Sequence, residues 1–128
     1  MEKTVLPSEY RVPRPYPRAV VAGPFVFVSG VCGIDAETGL MAETLEQQTH
    51  LACQRIGATL GAAGSSFEYV VKVTTFLKNI KDGKAMNPIK EQYFTSPYAS
   101  TVIAINELGQ PGRYFELDVI AMIPDKKS

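Results

Sequence analysis

Two carboxylates close to the C-terminal end, Glu116 and Asp118, are the residues best suited to chemistry. They alternate with the apolar residues Phe115, Leu117 and Val119, and a period of two indicates a β-strand. Residues two apart on a strand share a face, so their Cα atoms would lie about 6.5 Å apart. A solvent-exposed strip would also explain the pair. In a partly buried cleft, however, a carboxyl with a raised pKa could move a proton to or from water, and Glu116 is the candidate.

The sequence gives less support to a catalytic triad, a metal site or a phosphate-binding loop. His50 is the only histidine, and a Ser-His-Asp hydrolase would need it together with Ser29 or another serine. Its place within a helical pattern favours a structural histidine. One histidine with the separated Cys32 and Cys53 does not match a metal site, and no glycine-rich loop opens a helix as a phosphate site would. The sequence therefore predicts no metal, no cofactor and two reduced thiols.

The amino-acid composition indicates which kinds of binding partner the chain favours. The 128 residues are 45% hydrophobic and 20% charged, with 13 basic and 13 acidic side chains and no formal net charge, which fits one globular domain over residues 1–128. Without a basic stripe, nucleic acid is an unlikely partner, and a small molecule or a second copy of the chain is favoured. The segment 1–18, with Pro13, Pro15 and Pro17, has no apolar run, so no membrane contact and a cytoplasmic location are expected.

Hydrophobic periodicity predicts an α+β fold. The predicted order is strand, strand, helix, long strand, helix, strand, strand, over residues 19–22, 25–29, 42–63, 67–78, 82–95, 100–105 and 113–123. Pro88 removes one backbone donor, so the second helix could begin as late as Asn87. Two helices would cover one face of the sheet. The other face keeps Ile120 and Met122, which predicts a homo-oligomer.

Four segments together resemble the Rid/YjgF family of reactive-intermediate deaminases. They are residues 16–30, 71–80, 87–94 and 115–121, and their order and spacing carry the resemblance, which extends from about Tyr16 to Ile123. It implies a chorismate-mutase-like (YjgF-type) fold, a homotrimer, and a small-molecule cleft at each subunit interface. It also implies hydrolysis of enamines or imines to 2-keto acids and ammonia without a cofactor, with Glu116 positioning the water.

The same resemblance implies a set of substrate-binding residues. They are Tyr16, Ser29, Gly30, Asn87, Ser100 and Thr101. Archetypal members carry an arginine at the position of Ala99, whose guanidinium holds the substrate carboxylate, and a cysteine at the position of Thr101. Loss of such a charge-assisted bond costs about 1.5 to 3 kcal/mol, or roughly ten- to a hundredfold in affinity.

A replacement for that arginine is needed if the substrate is anionic. Arg18, two residues beyond Tyr16 and therefore on the same strand face, is the candidate, with a solvated surface arginine as its alternative. Arg113 is a weaker candidate, because it would point away from Glu116 on a regular strand.

Three functions remain open from the sequence. The first is a deaminase acting on something other than ordinary 2-imino acids; the Tyr-Pro opening before Phe-Val-Ser-Gly resembles 2-aminomuconate deaminases of the family. The second is a non-catalytic ligand-binding or regulatory trimer. The third is the endoribonuclease or translation-inhibitor activity by which parts of the family are labelled, which the zero net charge and the lack of a histidine pair disfavour.

Overall fold

The computed structural model describes residues 2–8 and 15–125, so Pro13 of the proline-rich segment lies outside the described residues. Within these ranges the chain forms six strands and two α-helices. In chain order they are β1 Lys3–Leu6, β2 Ala19–Ala22, β3 Phe25–Val31, α1 Leu45–Ala62, β4 Val70–Leu77, α2 Asp82–Lys90, β5 Ala99–Ala104 and β6 Phe115–Met122. The predicted order is confirmed, with β1 added. Its polar and apolar residues do not alternate but follow one another as Lys3-Thr4 and Val5-Leu6, so its sequence has no strand period.

All six strands belong to one mixed sheet in the order β1-β2-β3-β6-β4-β5. Only β4 and β5 run parallel, and every other neighbouring pair is antiparallel. The predicted hairpin between β2 and β3 is confirmed, and its turn places Gly23 at φ 59°, a conformation that favours glycine. Strand β4 is shorter than predicted, because Phe67–Tyr69 forms a 3-10 turn before it.

Helix α1 is defined at both ends by its sequence. The Thr44 side chain accepts a hydrogen bond from the Gln47 N–H, and the Gln47 side chain accepts one from the Thr44 N–H, a reciprocal cap that sets the first turn. Gly64, at φ 83°, follows the last turn as predicted. The face toward the sheet carries Ala52, Cys53, Ile56 and Leu60, all fully buried.

Helix α2 begins at Asp82 with Pro88 inside it, so a start as late as Asn87 is wrong. A turn at Asn79 initiates the helix earlier: the Asn79 side chain accepts from the Lys81 N–H, and its carbonyl accepts from the Asp82 N–H. Fully buried Met86 then anchors the helix before Pro88 is reached. The free energy gained by burying Met86 exceeds the cost of the one backbone hydrogen bond that Pro88 removes.

The two faces of the sheet differ sharply. Both helices pack on one face, where Val26, Val28, Val73, Leu117 and Val119 form the core. This confirms the predicted α+β arrangement with two helices on one side. The other side, called here the open face, exposes large apolar side chains: Phe25, Phe27, Ile103 and Met122.

Cys32 and Cys53 are both buried and are not joined by a disulfide, as predicted. Burial raises the pKa of the Cys53 thiol to about 12, which keeps it protonated at neutral pH. Within the described part of the chain, no helix has the length and apolar character needed to cross a membrane.

Candidate active site

A β-bulge in β3 shapes the centre of the open face. The register with β6 shifts between Val28 and Val31, and both of these valines are buried against the helices. The two residues between them, Ser29 and Gly30, therefore both lie toward the open face, as a bulge allows. The predicted strand end at Gly30 is wrong, because the bulge bends β3 without terminating it.

Glu116 lies directly over this bulge. It pairs in register with Phe76 of β4, and its carboxyl group covers Gly30 so closely that an added Cβ at Gly30 would be 2.6 Å from the Glu116 Cδ atom. Ser29 is held beside it, since its hydroxyl donates to the Pro17 carbonyl at 2.7 Å. The structure thus brings Ser29, Gly30 and Glu116 together.

Arg113 contacts Glu116, contrary to the sequence expectation. The Arg113 Nη1 group donates to Glu116 Oε1 at 3.0 Å, and Nη2 donates to the Gln110 side chain at 3.2 Å. Strand β6 begins at Phe115, so Arg113 lies in the preceding loop, where strand alternation does not apply. Its side chain is 11% exposed and that of Glu116 31% exposed. Such a shielded pair is held more firmly than a surface ion pair.

Gln48 of α1 fixes the loop that carries Arg113. Its side-chain amide donates to the carbonyls of Ala42 and Gly112, both at 2.8 Å, and accepts from the Tyr114 N–H at 3.2 Å. Gly112 and Tyr114 flank Arg113 directly in sequence. Gln48 is fully buried, so one helix side chain holds the backbone on both sides of the arginine.

Opposing effects set the protonation of Glu116. Burial raises its pKa above the ordinary 4.5, Arg113 lowers it, and Asp118 raises it, with a net increase. Burial also raises the pKa of Asp118. A carboxyl with a raised pKa that stays close to a guanidinium can both accept a proton and return it, which is the property required of a general acid-base group.

A second group of predicted residues lies further along the sheet. Ala99 and Thr101 of β5 pair in register with Lys72 and Thr74 of β4, and these residues face the open side. The Lys72 ammonium donates to the Thr101 hydroxyl at 2.7 Å. Lys72 therefore places a cation in register with Ala99, the position at which the resemblance implies an arginine.

The remaining predicted residues are dispersed. Tyr16 is exposed, and Arg18 precedes β2, where its carbonyl accepts from the Ser29 N–H at 2.9 Å. Ser100 pairs with Val73 and so faces the helix side of the sheet. Asn87 is an exposed residue of α2. Within one chain, neither Ser100 nor Asn87 lies on the face that carries Glu116.

His50 has no part in this cluster. Its Nδ1 atom is 2.9 Å from the Tyr93 hydroxyl, and the two rings meet edge to face. Among residues 2–8 and 15–125, no three His, Cys, Asp or Glu side chains are grouped so that they could hold a metal ion.

Sequence reasoning missed two residues, Gln48 and Lys72, and wrongly directed a third, Arg113, away from Glu116. Helix α1 is recognisable from the spacing of its apolar residues. Gln48 lies among them on the buried face, but because it is polar, hydrophobic periodicity does not predict its burial. Lys72 lies in a strand where neither face is plainly polar. Arg113 was treated as part of a regular strand, although Gly112 beside it, at φ 82°, signals a turn.

Substitution of Gly30 tests the packing over Glu116. Gly30 does not have a positive φ, so alanine can adopt its backbone conformation, and the three atoms nearest to the new methyl group all belong to the Glu116 carboxyl group. We expect the fold to persist and the carboxyl group to move by about an ångström, lowering catalytic turnover about a hundredfold. Gly61→Ala is the matched control, because nothing lies within 4 Å of its added Cβ. Unchanged turnover in Gly30→Ala would show that the position of the carboxyl group is unimportant.

The sequence and fold match known proteins along most of the chain. A family model described as Endoribonuclease L-PSP matches residues 8–123. The chain is 34% identical over 110 residues to 2-iminobutanoate/2-iminopropanoate deaminase of Capra hircus, covering 84% of this chain and 80% of that protein. A Rid-family protein of unknown function from Yersinia pestis has a similar structure, with a TM-score of 0.87 and 28% identity, covering 95% of this chain and 100% of the other.

A plant relative is similar over a shorter span. Reactive Intermediate Deaminase A, a chloroplast protein of Arabidopsis thaliana, is 39% identical over 84 residues. The match covers 65% of this chain but only 45% of the plant protein, so the chain spans about half the length of that relative. Because this relative resides in an organelle, a cytoplasmic location stays a prediction.

Proposed function

Since this chain belongs to the Endoribonuclease L-PSP family, to which the Rid/YjgF deaminases also belong, we propose that it hydrolyses a small imine or enamine and releases ammonia. The observation that carries this proposal is the Glu116 carboxyl group, which lies over Gly30, contacts Arg113 and has a raised pKa. The deaminase relatives support the reaction class, and the local geometry supports the residue.

The chemistry requires one group that moves a proton twice. Glu116, as the carboxylate, takes a proton from water as the water oxygen bonds to the C=N carbon. The protonated Glu116 then returns that proton to the nitrogen, which gives a carbinolamine. Glu116 next takes the proton of the new hydroxyl group and delivers it to the nitrogen, so that the C=O bond forms, the C–N bond breaks, and a carbonyl compound and ammonia leave. Arg113 orients the carboxylate and keeps its pKa lower than burial alone would set it, which favours the ionised form.

A complete site needs two copies of the chain in this proposal. Gly30 on β3 and Thr101 on β5 are separated by strands β6 and β4, which is about 14 Å at the usual strand spacing. A small imine cannot contact both. If a second copy packs its β5 region over the first copy's Glu116, both groups of residues meet and the exposed apolar side chains of the open face are buried.

We expect these contacts to close into a homotrimer, with one cleft at each interface. Sedimentation equilibrium should then give three times the chain mass of 14.0 kDa. A monomer at micromolar concentration would contradict the shared site, while leaving the family and the fold unaffected.

Alanine at position 99, where the resemblance implies an arginine, affects which substrates the site would bind. A guanidinium grips a carboxylate through two parallel bonds, whereas the Lys72 ammonium beside Ala99 offers a single-point contact. Short 2-imino acids depend most on this bidentate contact with their carboxylate. We therefore favour a longer substrate of the 2-aminomuconate type, whose negative charge would pair with Lys72 or Arg18. Asn87 and Tyr16 remain proposed binding residues whose contribution depends on the second copy.

The decisive experiment measures ammonia release from enzymatically generated imines and enamines, including 2-aminoacrylate, 2-iminobutanoate and 2-aminomuconate. We expect release above the spontaneous rate, with 2-aminomuconate favoured over the short substrates. Release from none of them would contradict the deaminase and favour a ligand-binding trimer. Salt-dependent RNA binding with cleavage would instead support the endoribonuclease, which a chain with no net charge does not favour.

A further inference from the structure

A cavity of about 300 Å³ lies under helix α2, on the side of the sheet opposite Glu116. This volume is at the lower end of the range for small-molecule sites. Its wall has an apolar part, made by Ile80, Met86 and Val102, and a polar part, made by Thr75, Lys81, Lys84, Asn87 and Lys90. Three of the lining residues are lysines and none carries a carboxylate. The cavity lining is therefore rich in cationic side chains, although the chain as a whole has no net charge.

Lys90 is the unusual member of this wall. It is only 6% exposed, and lysine is almost never so buried without a partner of opposite charge. Its ammonium is 3.4 Å from the Thr75 hydroxyl, a long contact, and 5.9 Å from the centre of the Tyr98 ring. In the part of the chain that the structure describes, no carboxylate forms an ion pair with it.

The groups around Lys90 do not supply the missing negative charge. Burial raises the pKa of the Cys53 thiol to about 12, and burial also raises the pKa of the Tyr98 hydroxyl, so both are neutral at physiological pH. Burial lowers the pKa of Lys90 itself. A buried ammonium without a counterion is costly to maintain, and an anion entering the cavity would relieve that cost.

We propose that this cavity is a binding site for a small organic carboxylate, whose charge pairs with Lys90 while its carbon chain packs against Met86, Ile80 and Val102. Two solvent-exposed lysines at the rim, Lys81 and Lys84, would attract the anion. A carboxylate of four or five carbons fits within the cavity of about 300 Å³. Asn87 is the one lining residue that is also proposed for the deaminase site, and the carboxylate is held by Lys90, which has no part in that reaction, so the two proposals are tested separately.

Butanoate is a suitable probe, with butanamide as its uncharged match. Methionine methyl groups labelled with ¹³C provide local reporters for NMR, because Met86 lines the cavity and Met122 lies on the open face. We expect butanoate to shift the Met86 signal in a saturable way and to leave Met122 unaffected. Butanamide should bind at least about tenfold more weakly, since it cannot form a charge-assisted bond.

Lys90→Leu removes the buried charge and keeps an apolar residue in the helix. It should weaken butanoate binding at least about tenfold, while Lys3→Leu, the same change on the distant edge strand β1, should bind like the unaltered protein. A native-like methionine spectrum shows that each variant is folded. Equal binding of butanoate to Lys90→Leu, equal binding of butanamide, or a response at Met122 instead of Met86 would each overturn the proposal.

Discussion

Glu116→Gln is expected to lower ammonia release about a thousandfold on the best substrate, because the amide cannot accept the proton of the attacking water. Glutamine has nearly the same shape, and its oxygen can still accept from Arg113, so the fold and the oligomer should persist. The measurement is the initial rate of ammonia release by both proteins at equal concentration. Full turnover by Glu116→Gln would remove Glu116 from the mechanism.

The pH dependence provides a second check on the same residue. Only ionised Glu116 can take a proton from water, so turnover should rise with pH through the pKa of Glu116, which lies above the ordinary 4.5. Asp118→Asn removes a charge that raises this pKa, so the rise should move to lower pH with little change in the plateau. A rise that moved to higher pH, or a lost plateau, would indicate that Asp118 has a direct role.

Gln48→Leu should lower the free energy of unfolding by about 3 kcal/mol, because it removes three hydrogen bonds of a fully buried side chain, each contributing roughly 1 kcal/mol. The carbonyls of Ala42 and Gly112 and the N–H of Tyr114 all lose the Gln48 side chain. Leucine has a similar volume, so the loss reflects hydrogen bonding more than packing. Denaturant unfolding should be compared at one protein concentration, because oligomer stability depends on concentration.

Gln54→Leu is the matched control for this change, since Gln54 lies on the exposed side of the same helix. It should alter stability by less than about 0.5 kcal/mol. If both variants lost the same stability, the effect would come from leucine in α1 rather than from the loop around Arg113. A Gln48→Leu protein that stayed fully stable would show that water satisfies the loop.

The elements that sequence predicted well are those whose burial follows a simple period. Helix α1 combines a repeating apolar face with a Thr44 cap, and β6 alternates strictly, so both could be recognised from local residue types alone. Glu116 emerged in the same way, because a carboxylate within such an alternation is conspicuous.

The elements that sequence missed depend on contacts between distant segments. The bulge at Ser29 and Gly30 arises from pairing with β6, and Arg113 reaches Glu116 because Gln48, more than sixty residues earlier in the chain, holds its loop. Helix α2 begins at Asp82 as predicted, and burial of Met86 outweighs the local preference of Pro88 for a later start at Asn87, but the helix ends at Lys90 and not at residue 95. Such effects cannot be predicted from local residue patterns, because they depend on contacts between segments that are distant in the sequence.

The position of β6 has a consequence for synthesis of the protein. This strand lies in the middle of the sheet, between β3 and β4, yet it is the last strand in chain order. A ribosome-bound chain that lacks residues 115–122 has two separate strand groups, and the core residues Leu117 and Val119 are still absent. Pairing across such sequence distances is slow. Folding of this sheet is therefore expected to wait until residues 115–122 have been synthesised, which makes β6 the strand whose loss would be least tolerated.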